Sequence, residues 1–367
     1  MKILYVCTTT DMGGAETALR ALSLAVQKAG HTVRVVCLKP LGSVGKDMQE
    51  QGLDVVSLNL AGKWRPIETA GVLARLMQQI ESFQPDVVHA FLYRAIMLCR
   101  LAKKHLSFKL ITTPHYDLSR KGYFLRLLDR VLKNADDISC AESRATADFL
   151  EKKQKYQTEK VRLVSNGVDL TRFRPDDKAR QAARQQFGWK PEEIIFICVA
   201  RLSAEKNHPL LLQAFASIRK HNPLARLVLV GDGAEKEKLS QWVHKKGLEN
   251  AVVFAGEVSN TVPFLLASDV FVLVSTIESL PVSVLEACSC AKPCIVSKVG
   301  DMPRVVLHGQ TGFLCNTQDP VLLSVLMAEL AENETSRQQM GQAARQRIEQ
   351  YYPAPEKAYL KIYQELI

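Results

Sequence analysis

Short apolar runs of strand length alternate with longer amphipathic segments along almost the whole chain. The first such run is Lys2–Cys7, and the same strand, loop and helix pattern begins again at Ile194–Val199. Continuous apolar strands separated by helices are typical of parallel sheets that are covered on both faces. The sequence therefore predicts an α/β protein with two doubly wound, Rossmann-like domains, residues 1–175 and 176–350. The polar stretch 176–190 is expected to be a linker.

Two glutamates follow the apolar run 267–274. Glu278 falls in the loop after that predicted strand, and Glu286 comes eight residues later in a helix that Pro281 can begin. The first backbone N–H groups of such a helix, in residues 280–283, favour an anion. A phosphate bound there would leave Glu286 to accept sugar hydroxyls of a nucleotide, and Glu278 to accept hydroxyls of the group that the phosphate carries.

Two other loops after predicted strands carry groups suited to a phosphate. Arg201 and Lys206 stand five residues apart after one strand, where they can converge on a diphosphate. Gly13 and Gly14 follow the first strand and allow the backbone to approach a ligand closely. Their spacing is not that of a dinucleotide motif, and no acidic residue ends the second predicted strand, which argues against NAD.

These residues resemble the signature of a known family. Glu-x7-Glu at 278 and 286 is similar to that of the retaining glycosyltransferases of the GT-B fold, family 4. Six further matches follow the order expected for that family, and together they span the whole chain. They are Gly-Gly-Ala-Glu at 13–16, His115 at a strand end, Asn-Gly-Val-Asp at 166–169, Arg-x4-Lys at 201–206, Gly-x-Gly at 231–233 and Gly-x-Thr-Gly-Phe at 309–313.

The resemblance implies two Rossmann-like domains facing each other across a cleft, with a UDP- or GDP-linked sugar as donor and transfer with retention. It implies catalytic roles for Glu278, which would orient the donor sugar, and for His115, which would support that sugar from the first domain. The residues that it implies for donor binding are Gly13, Gly14, Arg201, Lys206, Gly231, Glu257, Leu280, Pro281, Val282 and Glu286.

No cofactor and no divalent metal are expected. The chain has no Asp-x-Asp motif, so Arg201, Lys206 and the helix N-terminus after Glu278 would neutralise the leaving diphosphate.

Two positions depart from the family's usual pattern. Asn207 replaces a glycine after the lysine, and Arg304 replaces the glutamate of Gly-Gly-x-Pro-Glu. Arg304 either adds a cation near the phosphates or removes a structural salt bridge, and the sequence leaves both open. By the same resemblance, the segment 351–367 is expected to cross back to the first domain.

Composition places the chain among soluble globular proteins, with 47% hydrophobic and 23% charged residues. No apolar run approaches the ~18 to 20 residues of a membrane span, and the N-terminus turns polar too soon for a signal peptide, so the protein is expected in the cytoplasm. Nine cysteines without a Cys-x-x-Cys fit a reducing compartment. Cys288, Cys290 and Cys294 are expected in a core because no further ligand stands at zinc spacing.

The net charge of +10 lies entirely in the first half, where residues 1–175 contain 27 Lys and Arg against 17 Asp and Glu. Such a surface favours an anionic partner, and no nucleic-acid-binding motif accompanies it. A lipid-linked or phosphorylated lipopolysaccharide acceptor is therefore expected, in surface polysaccharide assembly on the inner face of the cytoplasmic membrane.

The segment 120–133 bears most directly on that membrane prediction. Its apolar residues recur with helical spacing and its cations fall off that stripe. The stripe either docks on anionic lipid or packs on the sheet, and the sequence favours neither.

Two other kinds of protein remain as rivals. A UDP-sugar 2-epimerase on the same fold would need no acceptor, and a non-catalytic protein would use the cleft only to bind nucleotide or lipid. Retention of both glutamates, Arg201 and Lys206 weighs against the binding protein. The donor sugar, its base and the acceptor are left open by the sequence.

Overall fold

A computed structural model of the 367-residue chain describes residues 1–60, 66–115, 118 and 121–367. The chain divides into two compact units. Unit 1 comprises Met1–Asn166 and Pro355–Ile367, and unit 2 comprises Gly167–Ala354. The boundary therefore comes before the one predicted after residue 175, and the C-terminal segment of unit 1 begins at Pro355.

Unit 1 contains, within its described residues, a seven-stranded parallel sheet in the order β3-β2-β1-β4-β5-β6-β7. Its strands are buried apolar runs, as a sheet covered on both faces requires. The strands are β1 Lys2–Cys7, β2 Thr32–Cys37, β3 Asp54–Ser57, β4 Val87–Phe91, β5 Lys109–Thr113, β6 Ile138–Ala141 and β7 Val161–Leu163. The helices are α1 Gly14–Lys28, α2 Ser43–Glu50, α3 Pro66–Phe83, α4 Tyr93–Ala102, α5 Tyr123–Leu132, α6 Arg144–Asp148 and α15 Glu356–Leu366.

Unit 2 repeats the architecture with a six-stranded parallel sheet in the order β10-β9-β8-β11-β12-β13. The strands are β8 Ile194–Val199, β9 Ala225–Val230, β10 Val252–Gly256, β11 Val270–Leu273, β12 Cys294–Ser297 and β13 Gly312–Cys315. The helices are α7 Asp177–Phe187, α8 His208–His221, α9 Lys236–Lys245, α10 Val262–Ala267, α11 Val282–Ser289, α12 Met302–Val305, α13 Pro320–Glu332 and α14 Glu334–Tyr351. Strand order reverses between β1 and β4 in unit 1 and between β8 and β11 in unit 2. Open α/β sheets bind ligands at such switch points.

The predicted linker 176–190 is wrong, because most of it forms α7. The Asp176 side chain accepts the Ala179 N–H at 2.9 Å, and Gly188 ends the helix with φ +67°. These are ordinary capping signals. The inner face of α7 is held by Arg180 and Arg184, which bind Asp269 at 2.5 and 2.6 Å. Ala179, Ala183 and Phe187 of the same helix also pack against the core of unit 2, but two of these three are small alanines in a mostly polar segment. The sequence prediction also omitted strand β6 and helices α2, α6, α9, α10 and α12.

The C-terminal helix α15 belongs to the core of unit 1. Tyr359, Ile362 and Tyr363 are buried. The Tyr363 hydroxyl lies 3.3 Å from the Tyr5 hydroxyl and 2.7 Å from His89 Nδ1. A helix far along the chain is thus fastened to β1 and β4 by buried hydrogen bonds.

Most of the apolar stripe of 120–133 does not pack on the sheet, although Leu132 at its end packs against the core of unit 1. Tyr123, Phe124 and Val131 of α5 are 71%, 74% and 68% exposed, so the packing alternative is wrong. Arg120 lies outside the described residues.

All nine cysteines are buried and free, with Cys288 Sγ 3.3 Å from Cys294 Sγ. Among the described helices, none combines the length and apolarity needed to cross a membrane.

Candidate active site

The switch point of unit 2 brings two predicted site loops together. Loop 200–207 follows β8 and loop 274–281 follows β11, and these strands are neighbours in the sheet. Because both strands are parallel, their following loops emerge at the same edge. The Thr276 N–H donates to the Glu205 carbonyl at 2.8 Å and joins the two loops through the backbone.

A direct ion pair connects the same loops. Lys206 Nζ donates to Glu278 Oε1, and the Ser275 hydroxyl donates to that oxygen at 2.9 Å. Both side chains of the ion pair are largely buried. Two of the predicted residues, 72 positions apart in sequence, therefore meet at the switch point. Both hydrogen bonds use Oε1, so neither engages Oε2.

The loop that carries Glu278 is also supported from the β12 side. The Asp301 N–H donates to the Ser279 carbonyl at 2.8 Å. Gly300 has φ +54°, and a Cβ there would lie 2.3 Å from the Glu278 carbonyl oxygen. Only glycine permits such a close approach of two backbones in this conformation. Gly300 was missed by the sequence prediction, although the Gly-Asp-x-Pro context signals a tight turn.

Helix α11 begins directly after that loop. Pro281 is its N-cap residue, one position before the first turn in which the sequence predicted it, and Leu280 is buried. The N–H groups of Val282 and Ser283 belong to the first turn, whose donors have no partner within a helix. They add the positive end of the helix dipole to the charge of Lys206. This strand-end position suits an anion such as a diphosphate.

Glu286 lies one helical turn farther along α11 and is buried. Burial raises its pKa to about 7, against smaller opposing effects from Arg172 and from a hydrogen bond with Thr261. The Thr261 hydroxyl is 3.5 Å from Glu286 Oε2. Arg172 Nη2 in turn binds Asn260 Oδ1 at 3.2 Å. Glu286 thus faces the loop after β10, whereas Glu278 is tied to the loop after β8. Thr261 and Arg172 were not predicted.

The neighbouring strand ends present backbone rather than side chains. The Gly231 N–H donates to the Gly256 carbonyl at 2.7 Å. Gly231 has φ +134°, and a Cβ there would lie 2.1 Å from the Ala200 carbonyl oxygen. Glu257 follows directly and is exposed. Glycine at 231 therefore allows the backbones of the loops after β8 and β9 to pass close to each other.

The two departures from the family pattern have different structural consequences. Asn207 adopts φ +54° and its Nδ2 donates to the Thr317 carbonyl at 2.9 Å, so it fills a left-handed position that asparagine tolerates. Arg304 Nε lies 4.0 Å from Asp301 Oδ1 and its side chain is mostly exposed. Arg201 is exposed in the loop after β8.

Three predicted residues lie in unit 1. Gly13 caps α1 and Gly14 is its first residue, exposed and with no atom within 4 Å of an added Cβ. His115 follows β5 with φ +50°, and its ring centroid lies 5.8 Å from that of Phe91. His89 has a structural role, because Tyr363 and Thr113 each bind one of its ring nitrogens at 2.7 Å. Burial, with a smaller effect of His115, lowers the pKa of His89 well below its ordinary value.

Within the described ranges, no group of three or more His, Cys, Asp or Glu side chains is arranged to hold a metal ion.

Comparison with known families decides the assignment. Residues 179–347 match the family model for glycosyl transferases group 1, and residues 12–172 match that for glycosyltransferase family 4. This chain belongs to the group 1 glycosyltransferases. The first match contains every candidate residue of unit 2, and the second contains Gly13, Gly14 and His115.

Individual relatives of this glycosyltransferase share less than a third of its residues over the aligned region. It is 29% identical to N-acetyl-alpha-D-glucosaminyl L-malate synthase of Bacillus anthracis, over 72% of this chain and 70% of the relative. It is 27% identical to the sulfoquinovosyl transferase SQD2 of Arabidopsis thaliana, over 76% of this chain but only 56% of the relative.

A solved structure covers the glycosyltransferase from end to end. The HepE protein of Anabaena, in complex with UDP and glucose, superposes with a TM-score of 0.88 at 20% identity over 99% of both chains. At this identity the likeness shows the fold alone. The two Rossmann-like units are therefore those of the GT-B fold.

Proposed function

We propose that this glycosyltransferase moves a hexosyl or N-acetylhexosaminyl group from a UDP- or GDP-linked donor to a lipid-linked or lipopolysaccharide acceptor, with retention and without a divalent metal. The observation that carries the proposal is the Lys206–Glu278 pair at the switch point of unit 2, next to the start of α11. A cation and a helix N-terminus suit a diphosphate, and an adjacent carboxylate suits sugar hydroxyls.

Each group has a proposed task in that reaction. Lys206 and Arg201, with the N–H groups that begin α11, hold and neutralise the leaving diphosphate. Glu278 accepts hydroxyls of the donor sugar through Oε2, while the hydrogen bonds to Oε1 fix its orientation. Glu286 accepts the ribose hydroxyls, which satisfies a buried carboxylate.

The nucleoside has a proposed place beside them. We place its base against the backbone at Gly231 and Glu257, which follow β9 and β10 at the same edge of the sheet as Lys206. His115 at the end of β5 is proposed as the second catalytic residue, and Gly13 and Gly14 as a close backbone contact with the ligand.

The proposed route is a front-face displacement. The acceptor oxygen bonds to the anomeric carbon on the face from which the diphosphate departs, and the bond from that carbon to the phosphate oxygen breaks. The acceptor proton passes to the departing phosphate, so atoms and charge balance and the anomeric configuration is kept. Positioning and electrostatic stabilisation supply the catalysis.

The basic first half supports an anionic acceptor, such as a polyprenyl-diphosphate sugar or a phosphorylated lipopolysaccharide core. We place the enzyme at the inner face of the cytoplasmic membrane, in surface polysaccharide assembly.

The test is a screen of the full-length protein against UDP- and GDP-linked sugars, with and without EDTA. Thermal unfolding and slow donor hydrolysis are followed together. A donor at a hundred times its Kd should stabilise the protein by about 2.7 kcal/mol. Stabilisation and hydrolysis that persist in EDTA support the proposal, and binding or turnover that needs a divalent metal contradicts it.

Two variants sharpen this screen. Glu278→Gln should abolish hydrolysis, while the exposed Glu332→Gln should retain it. Near wild-type turnover by Glu278→Gln would show that the role of Glu278 is wrong. Product analysis separates the rival enzyme, because an epimerase would release the C2 epimer of the sugar.

A further inference from the structure

One helix of unit 1 turns its apolar stripe to solvent. Tyr123, Phe124 and Val131 are the most exposed of this stripe, and Leu127 and Leu128 lie between them along the same side of α5. We call these five residues the α5 outer face. Contiguous exposed apolar patches of this kind mark interaction surfaces.

The opposite side of α5 explains why the stripe need not pack. Asp129 is buried there, and Arg100 Nη1 donates to it at 2.7 Å. The Tyr156 hydroxyl also donates to Asp129 at 2.9 Å, and the Tyr93 hydroxyl donates to the Leu125 carbonyl at 2.9 Å. An ordinary surface helix is held by its apolar stripe. Here polar contacts hold the helix and leave the stripe available.

Cations lie next to this face. Arg130 Nε donates to Gln154 Oε1 at 3.2 Å, and Lys133 Nζ donates to the Gln154 carbonyl at 2.9 Å. These bonds fasten the segment 152–155 beside α5. The segment presents Lys153 and Lys155 as exposed side chains. Substitution of Arg130 or Lys133 would therefore disturb the local structure as well as the charge. Substitution of Lys153 and Lys155 changes the surface charge and leaves those hydrogen bonds in place.

We propose that the α5 outer face, with Lys153 and Lys155, docks unit 1 on an anionic lipid bilayer. Aromatic and aliphatic side chains enter the interface, and the lysines meet anionic headgroups. An apolar face with a basic rim fits this partner because its charge complements an anionic headgroup layer. The inference deepens the proposed function, since a lipid-linked acceptor would be presented at that surface.

Vesicle sedimentation of the full-length protein tests the docking. Phosphatidylcholine vesicles are compared with vesicles of increasing phosphatidylglycerol content. Phe124→Ser with Val131→Ser should lower binding at least tenfold. The matched control is Val321→Ser with Val325→Ser, which removes an exposed apolar pair from α13 of unit 2 and should bind as wild type does.

A second pair isolates the charge. Lys153→Gln with Lys155→Gln should weaken binding to anionic vesicles by roughly thirtyfold at low salt. Each lysine near the surface contributes ~1 kcal/mol of attraction to anionic headgroups. Lys357→Gln with Lys361→Gln removes two exposed lysines elsewhere in unit 1 and should leave binding unchanged.

Three results would overturn the docking proposal. They are equal binding to neutral and anionic vesicles, wild-type binding by both test variants, and a dimer in solution that Phe124→Ser with Val131→Ser dissociates. The last would show that a second copy covers the face. Donor hydrolysis without vesicles should be the same in all these proteins. The donor screen and the vesicle-binding assay therefore test the two proposals independently, and failure of one does not decide the other.

Discussion

Replacement of Gly300 by alanine tests whether the Glu278 loop is held by backbone contact. Gly300 has φ +54°, and an added Cβ would lie 2.3 Å from the Glu278 carbonyl oxygen and 2.5 Å from that of Ser279. The left-handed conformation alone costs alanine about 1–2 kcal/mol. Overpacking adds about 1–3 kcal/mol, because a backbone carbonyl cannot rotate out of the way as a side chain can.

The matched control is Gly247→Ala at the end of α9. Gly247 has φ +63°, but no heavy atom lies within 4 Å of its added Cβ. This variant should lose only the stability that the left-handed backbone conformation costs alanine, which corresponds to a Tm lower by about 2–8 °C for a domain of this size. Gly300→Ala should lose roughly 2–5 kcal/mol in total.

Donor turnover separates the two variants further. Moving the loop displaces Glu278, and a misplacement of about 1 Å can cost 100-fold in rate. We therefore expect donor hydrolysis to fall about 100-fold in Gly300→Ala and to stay within about twofold in Gly247→Ala. Calorimetry and a donor hydrolysis assay measure both effects. Equal stability losses with unchanged turnover in both variants would refute the proposed support of the loop.

Two further predictions concern buried charge. Burial raises the pKa of Glu286 to about 7 from an ordinary 4.5, so the contribution of this carboxyl to stability is full below about pH 4.5 and is lost as the pH rises through 7. Urea unfolding against pH should show this decline in wild type and not in Glu286→Gln, and donor affinity should rise through pH 7 only in wild type. Matching pH profiles of the two proteins would contradict the role of Glu286. Arg100→Met should lower the free energy of unfolding in urea by about 3–5 kcal/mol, because Asp129 and Asp136 stay buried without their cation. Arg34→Met, at a more exposed ion pair, should lower it by under ~1 kcal/mol. Similar losses in the two variants would show that the buried ion pairs do not stabilise unit 1 more than the exposed pair does.

Much of the fold was predictable because its strands are buried on both faces. Lys2–Cys7 and Ile194–Val199 were predicted with their observed bounds. A continuous apolar run needs no knowledge of distant neighbours to be recognised as a strand. The polar helix α7 was missed because its apolar stripe is short and mostly alanine, and hydrogen bonds from its arginines help to hold it in place.

The positions of the candidate site residues followed from the same pattern. A strand that ends at Val199 or Leu273 places the next few residues at the carboxyl edge of the sheet. The order of the strands was not in the hydrophobic pattern, so only the resemblance to the family, and not periodicity, placed loops 200–207 and 274–281 around one diphosphate. The Lys206–Glu278 pair and the approach of Gly300 to that loop depend on this order.

By itself the sequence determined the family, the two α/β domains and the residue types at the ends of the strands. It did so because local hydrophobic periodicity and short motifs are properties of consecutive residues. Tertiary structure decided which side of α5 faces solvent, since Arg100 on another helix binds Asp129 and fixes the rotation of α5. It also decided the burial of Glu286, and hence its raised pKa, because desolvation depends on neighbours that are distant along the chain.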